Sequence, residues 1–96
     1  KEFDIDNAKA KIKSLIVNPG KKLSYQKHSL RNEHWFVIKG NATIKLNGEE
    51  FKVETFNYFD IKVEDWHQLI NNGDDDLIVV EVQFGDECIE EDIERK

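Results

Sequence analysis

Four polar side chains have the types and spacings to hold a divalent metal ion: Gln26, His28, Glu33 and His67, in a chain with three histidines in all. Gln26 and His28 stand two apart in a stretch expected to be a strand, so both side chains point to one face. Glu33 follows a bend containing Arg31 and Asn32, where a returning chain would set its carboxylate opposite His28. His67 comes from a distant strand and supplies a further arm. Nitrogen and oxygen donors in this mix suit zinc or another first-row divalent ion, at about 2.0–2.2 Å for zinc, with a position left open to water or substrate. The same residues also fit a solvated strand face, the more usual setting for isolated His and Glu, and Gln is only an occasional ligand. His34, next to Glu33, has the opposite parity and is read as a non-ligand.

The elements that must carry these residues are strands. Ala10, Ile12 and Leu15-Ile16-Val17 lead into the turn composition of Asn18-Pro19-Gly20. Alternation resumes at Trp35-Phe36-Val37-Ile38, breaks at Gly40-Asn41, runs through Ala42, Ile44 and Leu46, and reverses at Asn47-Gly48 into Phe51 and Val53. Asn-Gly between two alternating runs predicts a hairpin over residues 42–54, because both residues tolerate the positive φ of a type I′ turn. Further strands are expected over 58–63, 66–70 and 77–84, the last two separated by Asn71-Asn72-Gly73-Asp74. No helical stripe precedes the acidic end, so the chain reads as a small antiparallel sandwich or barrel. Residues 87–96 are expected to be a short helix or frayed.

Ninety-six residues suffice for one domain, here residues 1–96 with a core over about 9–85 and an acidic tail over 86–96. The net charge of −6, with acids bunched at Asp74-Asp75-Asp76 and from Asp86 to Glu94, argues against a nucleic-acid partner. Cys88 is the one cysteine, which precludes an intrachain disulfide and suits a reducing, cytoplasmic setting. Its acidic neighbours disfavour a thiolate, so it is not read as a nucleophile. No apolar run approaches the roughly 20 residues of a membrane span.

The run Gly20-x5-Gln26-x-His28-x4-Glu33-x6-Gly40 resembles the first motif of the cupins, with Gln26 in place of that motif's first histidine, and His67-x3-Asn71 resembles the second. More closely, "NPGKKLSYQKHSLRNEHWFVIKGNATIKLNGEEF" and "EVQFGD" followed by "EEDI" are similar to the cupin domain of type II phosphomannose isomerases, enzymes often fused to a mannose-1-phosphate guanylyltransferase. The resemblance covers about residues 9–95. It implies an all-β fold, the double-stranded β-barrel or jelly roll of the cupins. It further implies a divalent metal, zinc in the first instance, held by Gln26, His28, Glu33 and His67, with Arg31 close by to orient a phosphorylated sugar.

The activity so implied is interconversion of mannose 6-phosphate and fructose 6-phosphate. A metal on the sugar oxygens would acidify the adjacent C–H and stabilise an enediolate. Arg31 and Glu33 are then the candidate catalytic residues, Glu33 as proton carrier if it is loosely held by the metal. The chain departs from that family where Ser29 and Leu30 replace further histidines, where Lys62-Val63-Glu64-Asp65-Trp66-His67 lacks the proline and glycine of a P-x-G-x-x-H turn, and where Gln68 replaces an arginine. These departures bear on the isomerisation more than on the metal. Two rival readings are a non-catalytic sugar or sugar-nucleotide binding module, and a metal-free nucleotide-sugar ketoisomerase or epimerase.

Trp35 shares the parity of Glu33 and is either core or a platform for a sugar ring. Glu81 and Gln83 share a parity in the last long strand, so one of them could face the cavity. Trp66 has the parity opposite to His67 and is assigned to packing or an edge. The acidic tail is expected to be a solvated cap or a dimer contact, and a homodimer is expected because pairing would cover exposed sheet edges.

Overall fold

The structure, a computed structural model, describes the backbone of residues 2–4 and all of residues 9–96. The described residues form strands and no helix: β1 (Glu2–Asp4), β2 (Ala10–Val17), β3 (Gln26–Lys27), β4 (Arg31–Lys39), β5 (Ala42–Leu46), β6 (Glu49–Val53), β7 (Tyr58–Ile61), β8 (His67–Ile70), β9 (Leu77–Gly85) and β10 (Glu94–Arg95). They pair antiparallel in two sheets, ordered β1-β2-β9-β4-β7 and β10-β3-β8-β5-β6. From β2 onward the chain passes repeatedly from one sheet to the other, which is the all-β double-stranded barrel expected from the sequence.

Period-two alternation sets which side chains fill the barrel. In β9, Leu77, Val79, Glu81 and Gln83 are buried while the residues between them are not. In β4 the buried set is Arg31, Glu33, Trp35 and Val37. The register places Val37 opposite Val79, Trp35 opposite Glu81 and Glu33 opposite Gln83. The interior therefore grades from an apolar floor to a polar mouth. The floor joins Val17, Val37, Leu77 and Val79 of one sheet to Ala42, Ile44 and Leu69 of the other. Burying such a side chain contributes about 1.5–3 kcal/mol, and this apolar end holds the two sheets together so that polar groups can converge at the other.

The predicted hairpin forms β5 and β6, with Asn47 at φ 48° and Gly48 at φ 88°, as a type I′ turn requires. The stretch expected to run from 66 starts at His67, and that expected to reach 63 ends at Ile61. Two corrections bear on the site. β3 stops at Lys27, so His28 lies on the bend between strands. Residues 87–96 are neither helical nor frayed: they turn back over the barrel, and β10 pairs with β3 through Glu94 opposite Lys27 and Arg95 opposite Gln26.

Candidate metal centre

Arg31 and Glu33 project inward from β4, and His67 from the start of β8 in the facing sheet. His28 reaches in from the bend. One ligand atom from each of His28, Glu33 and His67 can be chosen so that all lie within 4.8 Å of one another, and all three residues are buried. Tetrahedral donors about 2.1 Å from a shared zinc ion stand about 3.4 Å apart, so the three groups must draw closer together to share one ion. Gln26 faces His67 in the β3–β8 register, and its side chain lines the cavity beside the cluster.

The main chain decides which ring nitrogens face the centre. His28 Nδ1 lies 2.5 Å from the carbonyl oxygen of Asp92, and His67 Nδ1 lies 3.0 Å from that of Asp65. A carbonyl only accepts, so both Nδ1 atoms carry the proton, and in its neutral form each ring presents a bare Nε2 to the site. His67 Nε2 is fully buried without a hydrogen-bond partner, 3.7 Å from Glu33 Oε1. Burial lowers the His67 pKa, against the pull of Glu33, and so favours the neutral ring. A lone pair sealed from water and left unbonded is costly, and a cation shared with Glu33 would satisfy it. The donor set fits a divalent metal.

Arg31 presently supplies the positive charge. Its Nε donates to Glu33 Oε2 at 3.0 Å and its Nη2 donates to His28 Nε2 at 3.0 Å. His28 Nε2 also stands 3.1 Å from Glu33 Oε2, where a doubly protonated ring would donate to the carboxylate. Burial alone would push Glu33 up. With the two imidazole rings doubly protonated, the His28 hydrogen bond and the charge of His67, His28 and Arg31 outweigh it and hold Glu33 at about 2, and with the rings neutral Arg31 is the remaining positive charge. Glu33 is thus a fixed anion, suited to a cation and too weakly basic to take a proton readily near pH 7.

A second buried carboxyl completes the mouth. The Trp35 indole N–H donates to Glu33 Oε1 at 2.9 Å and to Glu81 Oε2 at 3.1 Å, and Gln83 Nε2 donates to Glu81 Oε1 at 2.5 Å. Burial, followed by the charge of Glu33, pushes Glu81 up to about 7. Trp35 is therefore a core residue and a bridge between two acids, its ring meeting His67 edge-on at 5.6 Å between centroids. Both Glu81 and Gln83 face inward, where one was expected.

The remaining candidates fall outside the centre. His34 points away from it and pairs with Asp60 at 2.6 Å, as its parity predicts. Trp66 packs on Tyr25 at 5.6 Å between ring centroids. Asn71 ties loops together, donating to the carbonyls of Val17 and Asp75 at 2.8 Å each. Lys27 is engaged by Glu64 and Glu94. Asp92, which holds His28, escaped the sequence reading because only the folded-back tail brings the two together.

Comparison with known proteins identifies the family of the chain. The family model described as "Mannose-6-phosphate isomerase C-terminal" matches residues 3–96. The alginate biosynthesis protein AlgA of Pseudomonas aeruginosa is 37% identical over 88% of this chain and 18% of its own length. Mannose-1-phosphate guanylyltransferase 2 of Escherichia coli O157:H7 is 39% identical over 90% and 18%. The chain thus spans less than a fifth of the relatives it matches. Among solved structures, a protein with a double-stranded β-helix domain from Klebsiella pneumoniae superposes with a TM-score of 0.82 at 18% identity, over 95% of this chain and 77% of that one, which supports the fold. No helix among the described residues is long and apolar enough to cross a membrane.

These relatives correct one expectation. Conversion of mannose 6-phosphate to fructose 6-phosphate, taken from the resemblance as the function of the chain, does not hold as stated, because the relatives are guanylyltransferases and polysaccharide-biosynthesis proteins of which this segment is a small part. What sequence, fold and relatives agree on is narrower, and it is that the chain belongs to the mannose-6-phosphate isomerase C-terminal family and has the cupin fold of that family.

Proposed function

We propose that this chain is a divalent-metal-binding cupin domain that takes a phosphorylated monosaccharide, as one module of a longer protein of the mannose-1-phosphate guanylyltransferase type. The observation that carries the metal is the pair of imidazoles, each fixed at Nδ1 by a carbonyl so that both Nε2 atoms face Glu33. His28, Glu33 and His67 would hold the ion, with Gln26 as fourth donor. When bound, it would supply Lewis acidity toward a sugar oxygen.

The protein's own groups suit the rest of such a ligand. A cavity of about 230 Å³ adjoins the cluster, lined by Gln26, Arg31 and Glu81 from the barrel and by Glu90, Ile93 and Arg95 from the tail. Drug-sized ligands occupy pockets of about 300–1,000 Å³, so the space favours a single sugar over a sugar nucleotide. The planar guanidinium groups of Arg31 and Arg95 match phosphate oxygens. Glu81, held at about 7, is the carboxyl able to take or give a proton near neutrality, in preference to Glu33.

The cytoplasmic setting and the homodimer also belong to this proposal. One cysteine in the whole chain suits a reducing compartment, and the apolar outer face of the sheet containing β9 suits a second copy. The direct test is titration of the chelator-stripped chain with Zn²⁺, followed by mannose 1-phosphate and mannose 6-phosphate. One ion per chain is expected, with affinity lowered at least about tenfold in His67→Ala and sugar phosphate taken up by the loaded form. Absence of uptake by the unaltered chain rejects the metal. Uptake without affinity for either sugar phosphate rejects the ligand alone.

A further inference from the structure

The bend that carries His28 is clamped by the end of the chain. Within Asp92, Oδ1 accepts from the Ser29 amide at 2.8 Å, Oδ2 accepts from the Leu30 amide at 2.8 Å, and the main-chain oxygen accepts from His28 Nδ1 at 2.5 Å. One residue of the tail therefore binds three consecutive residues of the bend. Asp86 and Glu87 add amide donors to the Leu30 carbonyl at 2.9 and 3.3 Å. Beyond Asp92, the tail is secured by the β10–β3 pairing, by the Lys96 amide donating to the Tyr25 carbonyl at 3.0 Å, and by Lys96 Nζ lying 4.8 Å from the Trp66 ring centroid. Arg31 Nη1 reaches the Ile89 carbonyl at 3.5 Å.

The chemistry of this clamp goes beyond closing a loop. An imidazole free in water exchanges its proton between both nitrogens, and a fixed acceptor at Nδ1 selects the form with Nε2 bare. Charge-assisted bonds from a carboxylate to two neighbouring amides fix where that ring stands. Groups that orient a ligating histidine through its other nitrogen commonly set metal affinity by 10- to 100-fold. Resting on the metal reading above, we propose that Asp92 is a positioning residue for the metal centre. The tail docks as a strap that presents His28 Nε2, so tail docking and divalent-ion binding stabilise each other.

The test uses the full chain with Asp92→Ala and Asp92→Asn. The nitrogen shifts of His28 in the metal-free protein are measured first, then Zn²⁺ affinity. The unaltered chain is expected to show His28 in the single Nδ1–H form. Asp92→Ala is expected to show a mixture and a Zn²⁺ affinity about 10- to 100-fold lower, and Asp92→Asn, which keeps one side-chain acceptor, to recover part of both. Unchanged tautomer and affinity in Asp92→Ala overturn the proposal while leaving the metal reading intact. Failure of the unaltered chain to bind Zn²⁺ overturns the metal reading and the coupling, and the tautomer comparison still judges the clamp. Should Asp92→Ala not fold, reciprocity decides on the unaltered chain: saturating Zn²⁺ must slow hydrogen exchange at the Ser29, Leu30 and Lys96 amides, and equal exchange with and without Zn²⁺ rejects the coupling.

Discussion

Glu33 and Glu81 share one indole donor and are driven in opposite directions by what surrounds them. For Glu81, raised from 4.5 to about 7, the unfolded chain ionises first. Its contribution to stability is complete below 4.5 and is lost as pH rises to 7, at about 1.4 kcal/mol per pH unit and on the order of 3 kcal/mol in all. Glu33, lowered from 4.5 to about 2, contributes stability that is present above 4.5 and lost as pH falls toward 2. His67, lowered from 6.5, contributes stability that is present above 6.5 and lost as pH falls through its folded value. Glu81→Gln isolates the first effect. Its amide can donate to Gln83 Oε1, which is buried without a partner, once the Gln83 amide turns over. Denaturant unfolding in chelator is expected to show Glu81→Gln gaining on the unaltered protein by on the order of 3 kcal/mol between pH 4.5 and 7.5. A pH-independent difference would mean that Glu81 ionises in the folded state as it does in the unfolded one. Residue types and spacing singled out His28, Glu33 and His67, but parity holds only for Glu33 and His67 on β4 and β8, since His28 reaches the cluster from a bend. The bond that joins Trp35 to Glu81 depends on the β4–β9 register, which no local pattern in either strand specifies.

At the scale of elements, legibility follows length. The nine residues of β4 and of β9 advertise their faces by alternation, and the β5–β6 hairpin by Asn47-Gly48. By contrast, β3 and β10 have two residues each, too few for a period, and they form only through tertiary pairing, β10 with β3 and β3 also with β8. Their pairing nevertheless decides where the His28 bend lies. Gly85 marks the same crossing, at φ 152°, where an added Cβ would stand 2.6 Å from the Leu30 carbonyl oxygen and 2.9 Å from Arg31 Cα. Both obstacles are main chain, so the bend itself must move. Gly85→Ala is therefore expected to cost more than about 1 kcal/mol in unfolding free energy and to weaken Zn²⁺ binding by displacing His28 and Arg31. A fully native affinity in a destabilised Gly85→Ala chain would show that the bend can shift without disturbing the donors.

For the whole molecule, the two surfaces of the sheet containing β9 have different tasks. Inside, its polar rows build the mouth. Outside, the register lines up Ile12, Val82, His34 and Asp60 in one row, Ser14, Val80, Phe36 and Tyr58 in the next, and Ile16, Ile78 and Lys39 beyond. His34 and Asp60 are hydrogen-bonded to each other on this face. Ile16 is 62% exposed, Tyr58 60% and Phe84 43%. Exposed large apolar side chains grouped on one face in this way mark an interaction site. In the proposed homodimer a second copy would meet this face across a two-fold axis, each copy contributing the same patch. Sedimentation is expected to give twice the chain mass for the unaltered protein and the single mass for Ile16→Lys with Phe84→Lys, with Zn²⁺ affinity retained because neither residue is among the proposed donors. A doubly substituted chain that still sediments as a dimer would move the contact elsewhere, and an unaltered chain that stays monomeric at high concentration would leave this face to a different partner.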